Sequence, residues 1–267
     1  MSESEKSSRP DIEVRTYFAR GRNALVARAE FSELYAAMYL HQMDCGVRLE
    51  PALDQIARDA LAAITLHCAS RPQNETVAWT VNFQSPMVNV FVAGDNNLGT
   101  VVGNVFTENV KNTGRNLFYA DVVAEGQPPR RSVVEFSGEK FLEAVELFYR
   151  QSEQRPVRIF RHEEEDLVMI SAQPDCDVDW LESLDQATIH RLDQDVELSL
   201  LEKRPYRFEC GCNQDRMLTM LAPIMQKQSK DLFGEEETIR IHCPRCGVRY
   251  AITREAMEAR LAADRDH

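Results

Sequence analysis

Four of the seven cysteines fall in two tight pairs, Cys210-Gly211-Cys212 and, thirty residues later, Cys243-Pro244-Arg245-Cys246-Gly247. Each pair has the spacing that lets two sulfurs converge on one metal, and zinc accepts four thiolates in tetrahedral geometry at about 2.3 Å. The second pair reads as a zinc knuckle, in which Pro244 stiffens the loop and Gly247 tolerates positive φ. In an extended segment Cys210 and Cys212 share a face, with Cα atoms roughly 6 to 7 Å apart, near the upper limit for a disulfide. That pair can therefore ligate zinc or oxidise under strain. Four unrelated buried thiols would not be expected to form two such pairs. The Cys-Pro-Arg-Cys stretch is also compatible with a thioredoxin-like helix cap, but Gly247-Val248-Arg249-Tyr250-Ala251-Ile252 alternates as a strand, which favours the knuckle. One zinc ion with Cys210, Cys212, Cys243 and Cys246 as its ligands is the resulting expectation.

Composition narrows the classes. Hydrophobic residues make up 43% and charged residues 28% of 267 positions, the mix of a soluble globular protein with room for one sizeable domain and a small satellite. No run approaches the roughly 20 apolar residues of a membrane span. Met1 to Pro10 is Ser, Glu and Lys without an apolar stretch, which predicts a disordered tail over residues 1–11 rather than a signal peptide. A cytoplasmic, reducing location follows as an expectation, and there paired cysteines are metal ligands or redox sensors more often than structural disulfides. The net charge of −12 opposes nonspecific attraction to nucleic acid or acidic membranes.

The elements that must position the cysteines can be read from periodicity. Strands are predicted over 12–19 and 23–31 around an Arg20-Gly21-Arg22 turn, followed by a short helix over 32–41. From Glu50 to Cys68 a helix places Leu53, Ile56, Ala57, Ala60, Leu61, Ile64 and Cys68 on one stripe, so Cys68 is assigned to the core. From Glu75 to Phe136 the period becomes two, predicting an antiparallel sheet. Ser137 sits where an N-cap belongs, ahead of a helix bearing Phe141, Leu142, Val145, Phe148 and Tyr149. Strands over 157–161 and 166–172 then complete an α+β domain spanning 12–182. Residues 183–207 read as a helical linker, stable only when docked, because Ile189, Leu192, Val196 and Leu200 make a thin stripe. The last unit, 208–267, has a helix after Cys212 with Asn213 as its cap, a loop near Gly234, a strand over 238–242, the knuckle and a closing helix from Arg254. So small a unit lacks an adequate core. Zinc, worth on the order of 10 to 16 kcal/mol in small peptides, would supply its stability.

Taken together, these residues resemble the heat shock protein 33 family of redox-regulated chaperones. Cys210-x-Cys212 followed after thirty residues by Cys243-x-x-Cys246 is similar to that family's redox switch, and Tyr149-Arg150-Gln151-Ser152-Glu153-Gln154 resembles its Y-x-x-S-E-Q helix end. The resemblance spans roughly residues 12 to 252. It implies a protein that is inactive when reduced and zinc-bound, and that is not an enzyme. Oxidation would pair Cys210 with Cys212 and Cys243 with Cys246, release zinc, and unfold the linker and zinc unit. The active form would hold unfolding client proteins without ATP and can pair as a homodimer. Consistent with that, Gly99 to Gly103 lacks the lysine of a phosphate-binding loop.

The chemistry such a switch needs is available, because zinc keeps its ligands as thiolates, the species oxidants attack, and a neighbouring sulfur can resolve a sulfenic acid. Arg216, Arg245 and Arg249 can offset the negative charge. Cys176, between Asp175 and Asp177, is expected to have a raised pKa, and His242 to lie on the opposite strand face. Other classes stay open. A nucleic-acid-binding zinc ribbon is disfavoured by nine Lys and Arg against ten Asp and Glu from Glu209 onward. A thiol oxidoreductase would need an exposed low-pKa thiol at a helix start. A structural, redox-inert knuckle serving as an interaction module is the remaining alternative.

Overall fold

The computed structural model describes residues 11–227 and 232–263, so the predicted N-terminal tail lies almost wholly outside the described residues. Two strands, β1 (Ile12–Ala19) and β2 (Ala24–Glu30), form the predicted hairpin and lead into α1 (Ser32–Asp44) and α2 (Pro51–Ala69). Five antiparallel strands follow: β3 (Glu75–Gln84), β4 (Met87–Asp95), β5 (Thr100–Phe106), β6 (Asn116–Ala124) and β7 (Arg130–Phe136). Alternation drives them, since Val77, Trp79, Val81 and Phe83 of β3 are fully buried. Next come α3 (Phe141–Phe148), which runs into a wider π turn over Tyr149–Glu153, and β8 (Val157–Arg161) and β9 (Asp166–Ala172).

The α3 start is a correction. Ser137 does not cap it; Lys140 occupies the N-cap position, because Gly138 takes φ +97° and breaks the helical path between them. The Tyr149 to Gln154 motif has a structural role. The Tyr149 hydroxyl is hydrogen-bonded at 2.5 Å to His67 Nδ1, Glu153 accepts from Arg71 at 3.0 Å, and Gln154 adopts φ +55° to end the turn.

The segment predicted as a linker helix is the largest departure. Residues 178–195 form three short helices, α4 (Val178–Ser183), α5 (Gln186–Ile189) and α6 (Leu192–Asp195). The chain then enters an eleven-residue strand, β10 (Leu198–Phe208). Ile189, Leu192 and Val196 are buried against Val26, Phe160 and Ile170 as a docked stripe should be, whereas Leu200 is exposed on β10. Helical spacing holds only through Val196. Beyond it Glu202, Arg204, Tyr206 and Phe208 share one face at period two, and the strand is stabilised by ladder hydrogen bonds that local spacing does not reveal.

β10 joins the sheet into one of ten strands in the order β7-β6-β3-β4-β5-β10-β1-β2-β9-β8. It runs antiparallel to β1 from Leu198 to Tyr206, then meets β5 in parallel through Arg207 and Phe208. At that junction Gly99, with φ +60°, is required, since a Cβ there would stand 2.7 Å from the Pro205 carbonyl oxygen. α2 packs over β4 and β5 so closely that a Cβ on Gly94 would lie 2.5 Å from Cys68 Sγ. Tyr206 donates to Asn96 Oδ1 at 2.8 Å, and Asn96 Nδ2 donates to the Cys68 carbonyl at 3.0 Å, tying β10 to the end of α2.

The chain closes with α7 (Gln214–Lys227), the hairpin β11 (Thr238–His242) and β12 (Arg249–Thr253), and α8 (Arg254–Ala263). Their own core is small: Met217, Leu218, Ala222, Met225, Phe233, Ile252 and Met257. No helix among the described residues is long and apolar enough to cross a membrane.

Candidate metal centre

β10 delivers the first cysteine pair. Its last hydrogen bond to β5 runs from the Glu209 N–H to the Val101 carbonyl at 2.9 Å, so Cys210 follows directly from the sheet. Gly211 takes φ +64°, turning Cys212 back toward Cys210, and α7 begins two residues later. Asn213 caps it as expected, its Oδ1 accepting from the Arg216 N–H at 2.8 Å.

The second pair sits on the turn between β11 and β12. The Cys243 N–H donates to the Val248 carbonyl at 2.8 Å and the Gly247 N–H to the Cys243 carbonyl at 2.9 Å, closing the knuckle. Gly247 holds φ +81° as the sequence requires, and it also packs against the main domain: a Cβ there would stand 2.6 Å from Asn104 Nδ2 on β5.

These two turns bring all four sulfurs within 4.8 Å of one another. Cys210 Sγ lies 3.7 Å from Cys243 Sγ, and Cys212 Sγ lies 3.5 Å from Cys246 Sγ. Ligands at about 2.3 Å in a tetrahedron stand roughly 3.8 Å apart, so the donor set fits one zinc ion in both chemistry and spacing. Both of these contacts cross between the two pairs. Cys210, Cys243 and Cys246 are buried, at 8%, 1% and 2% exposure, while Cys212 is half-buried.

Protonation within the cluster is shared. Hydrogen bonds from Cys210 and Cys246, then the N–H groups of Arg245 and Cys246, hold Cys243 well below the ordinary thiol range. Cys210, bonded to that charged sulfur, is pushed up to about 12, and Cys246 is raised by the same neighbours. A cation would be needed to carry all four as thiolates.

Polar groups frame the cluster. Arg216 donates to the Gly211 carbonyl at 2.7 Å and Arg245 to the Cys210 carbonyl at 3.3 Å, while Arg249 is exposed. His242 is exposed, on the face opposite Ile241. Two contacts escaped the sequence reading. Tyr250 donates to Cys212 Sγ at 3.0 Å, and Cys210, Cys243 and Cys246 belong to the main core, while Cys212 packs against both that core and the satellite's. The alternation of β12 placed Tyr250 on the inward face, but nothing local marked Asn104 as the partner of Gly247.

The remaining cysteines stand apart from the cluster. Cys68 is fully buried and its thiol is pushed up to about 12 by burial. Cys176 is raised as expected, though burial outweighs the charge of Asp177 as the cause. Cys45, at the end of α1, lies 3.7 Å from His41 Nε2 and is raised by burial and then by the charges of Asp44 and Cys212.

Comparison with known proteins gives a consistent answer. A family model described as Hsp33 protein matches residues 161–253. The 33 kDa chaperonin of Edwardsiella ictaluri is 28% identical over 155 residues, 48% of this chain and 53% of that protein. The 33 kDa chaperonin of Caldanaerobacter subterraneus subsp. tengcongensis is 35% identical over 68 residues, 26% of this chain and 23% of that protein. The matched stretches thus span about half the length of these relatives or less. The crystal structure of the 33 kDa chaperonin (heat shock protein 33 homolog) from Thermotoga maritima superposes with a TM-score of 0.70 at 14% identity, covering 96% of this chain and 99% of that one, which shows the shared fold.

Proposed function

We propose that the chain is a member of the Hsp33 family, and from that premise that it is a redox-regulated, ATP-independent holdase chaperone rather than an enzyme, working in the cytoplasm on unfolding client proteins. The observation that carries this reading is the convergence of four sulfurs, from segments thirty residues apart, within 4.8 Å. Cys210, Cys212, Cys243 and Cys246 would hold one zinc ion. When bound, zinc would keep the four sulfurs as thiolates and add its binding free energy to the folding of the C-terminal unit.

Peroxide attack on one thiolate gives a sulfenic acid and hydroxide. Condensation with a second thiol then forms a disulfide and releases water. Two such events consume the cluster, with Cys210–Cys212 and Cys243–Cys246 as the proposed bonds. An oxidised sulfur no longer ligates, so metal affinity and the stability of the unit fall together. The proposed division is a chaperone core up to residue 182, a linker over 183–207 and a switch unit from 208, and the docked stripe of Ile189, Leu192 and Val196 on and after α5 and α6 is the part of the linker that would detach. Its release would expose Val26, Phe160 and Ile170 as apolar surface for clients, with homodimerisation of the oxidised form as a further step.

The test is to load the reduced protein with zinc, add peroxide at mild heat, and follow zinc release and client aggregation together. Full zinc loss with unchanged aggregation rules out the chaperone function. A second reading, a redox-inert structural site, draws support from burial of three sulfurs and from β10 being a sheet strand rather than a loose linker. It requires zinc to stay bound under the same oxidation.

A further inference from the structure

Of the four sulfurs, Cys212 is the one open to an incoming molecule, since the other three are buried. Among the described residues, that sulfur is also the one held by a side chain from outside the cluster: the Tyr250 hydroxyl donates to it at 3.0 Å. The two guanidinium groups closest in sequence, Arg216 and Arg245, are directed at the carbonyls of Gly211 and Cys210 rather than at sulfur. Tyr250 is set in place by the β11–β12 register, which pairs it with Ile241 and puts it on the same inward face as Ile252. Its ring packs against both the main core and the satellite cluster, so the hydroxyl is held by packing from two sides.

A hydrogen bond donated to a thiolate withdraws the lone-pair density that an electrophile must capture, and it must be weakened or broken for attack to proceed. We propose that Tyr250 is a positioning residue that sets the rate at which electrophiles, peroxides included, attack Cys212, and so sets the threshold of the switch. The consequence for regulation rests on the oxidation reading above; the restraint on Cys212 rests only on the geometry. In the step itself the Cys212 thiolate attacks one peroxide oxygen, the O–O bond breaks, hydroxide leaves and Cys212 becomes a sulfenic acid, which Cys210 resolves with loss of water. Tyr250 keeps its proton throughout.

Tyr250→Phe removes the hydroxyl and retains the ring. In the full-length, reduced, zinc-loaded chain, the iodoacetamide alkylation rate at each cysteine is read by peptide mass spectrometry, and peroxide-driven zinc release is timed in parallel. We expect alkylation of Cys212 about tenfold faster in the variant. Cys45 and Cys176 should be unchanged, and zinc release should accelerate in step with Cys212. An unchanged Cys212 rate overturns the proposal. Equal acceleration at all cysteines also overturns it, since that is the signature of general loosening. Faster Cys212 alkylation combined with zinc that peroxide never releases would uphold the restraint while removing the redox reading of the site.

Discussion

At the knuckle, a single residue's backbone and packing coincide. Gly247 sits at φ +81° and approaches Asn104, so Gly247→Ala should cost about 1 to 3 kcal/mol through the left-handed conformation alone. The loss should appear as a lower denaturant midpoint and as faster zinc transfer to a chelator. A different residue governs the acid limit. His67 is fully buried between Trp79, at 4.9 Å between ring centroids, and Tyr149, at 5.4 Å, and burial holds its pKa well below the ordinary 6.5. The unfolded chain binds that proton more readily. The stability His67 contributes is therefore complete above pH 6.5 and is lost as pH falls from there through the folded value. His67→Gln should flatten the dependence of unfolding free energy on pH in this window, as measured by urea titration at several pH values. The clustering of the four cysteines, the fixed turn at Gly247 and the core position of Cys68 were all legible in the sequence, because each is a local signal of spacing or periodicity. The Tyr250 contact and the Asn104 contact were not, since they join residues 38 and over 140 positions apart.

Among the elements, β10 is the one that couples the sheet to the cysteines. Phe208 is fully buried beside the His41 ring, 5.3 Å away, two residues before Cys210. Phe208→Ala should destabilise the protein by about 3 to 5 kcal/mol. Hydrogen exchange should quicken along β10 and at the first cysteine pair, while β6 and β7, at the far edge, keep their protection. The same strand shows why a linker helix was the natural reading. Its exposed positions carry Lys203 and Pro205, and its inward face opens with Glu202 and Arg204, which are paired with each other at 2.7 Å. An alternation of charged side chains looks like a solvated segment until the partner strand is known. β3 to β7 alternate apolar with polar residues, so the antiparallel sheet between Glu75 and Phe136 was readable from the sequence.

For the molecule as a whole, the question is how far loss of the metal would spread. Among the described residues the satellite's own core is seven buried side chains, three of them Met, and Cys210, Cys243 and Cys246 contribute to the large core instead. Chelation of the reduced protein should therefore abolish amide protection in β11, β12 and α8 while β3 and β4 stay protected, as read by hydrogen exchange with mass spectrometry. A satellite that keeps its protection without metal would contradict the stability argument. An α+β chain with a C-terminal cysteine cluster could be inferred from periodicity and spacing. The single sheet of ten strands could not, because its central joint is a two-residue parallel contact between strands about a hundred positions apart.

That joint bears on how the protein is made. Synthesis proceeds from the N-terminus, and the strand that fills the middle of the sheet is the last of its ten to leave the ribosome. Until residue 208 has emerged, β1 and β5 each present an unsatisfied row of backbone N–H and C=O groups. A nascent chain stalled before that point carries two sticky edges at once, whereas one stalled just beyond it has all ten strands of the sheet and still lacks both cysteine pairs and the helices and hairpin around them.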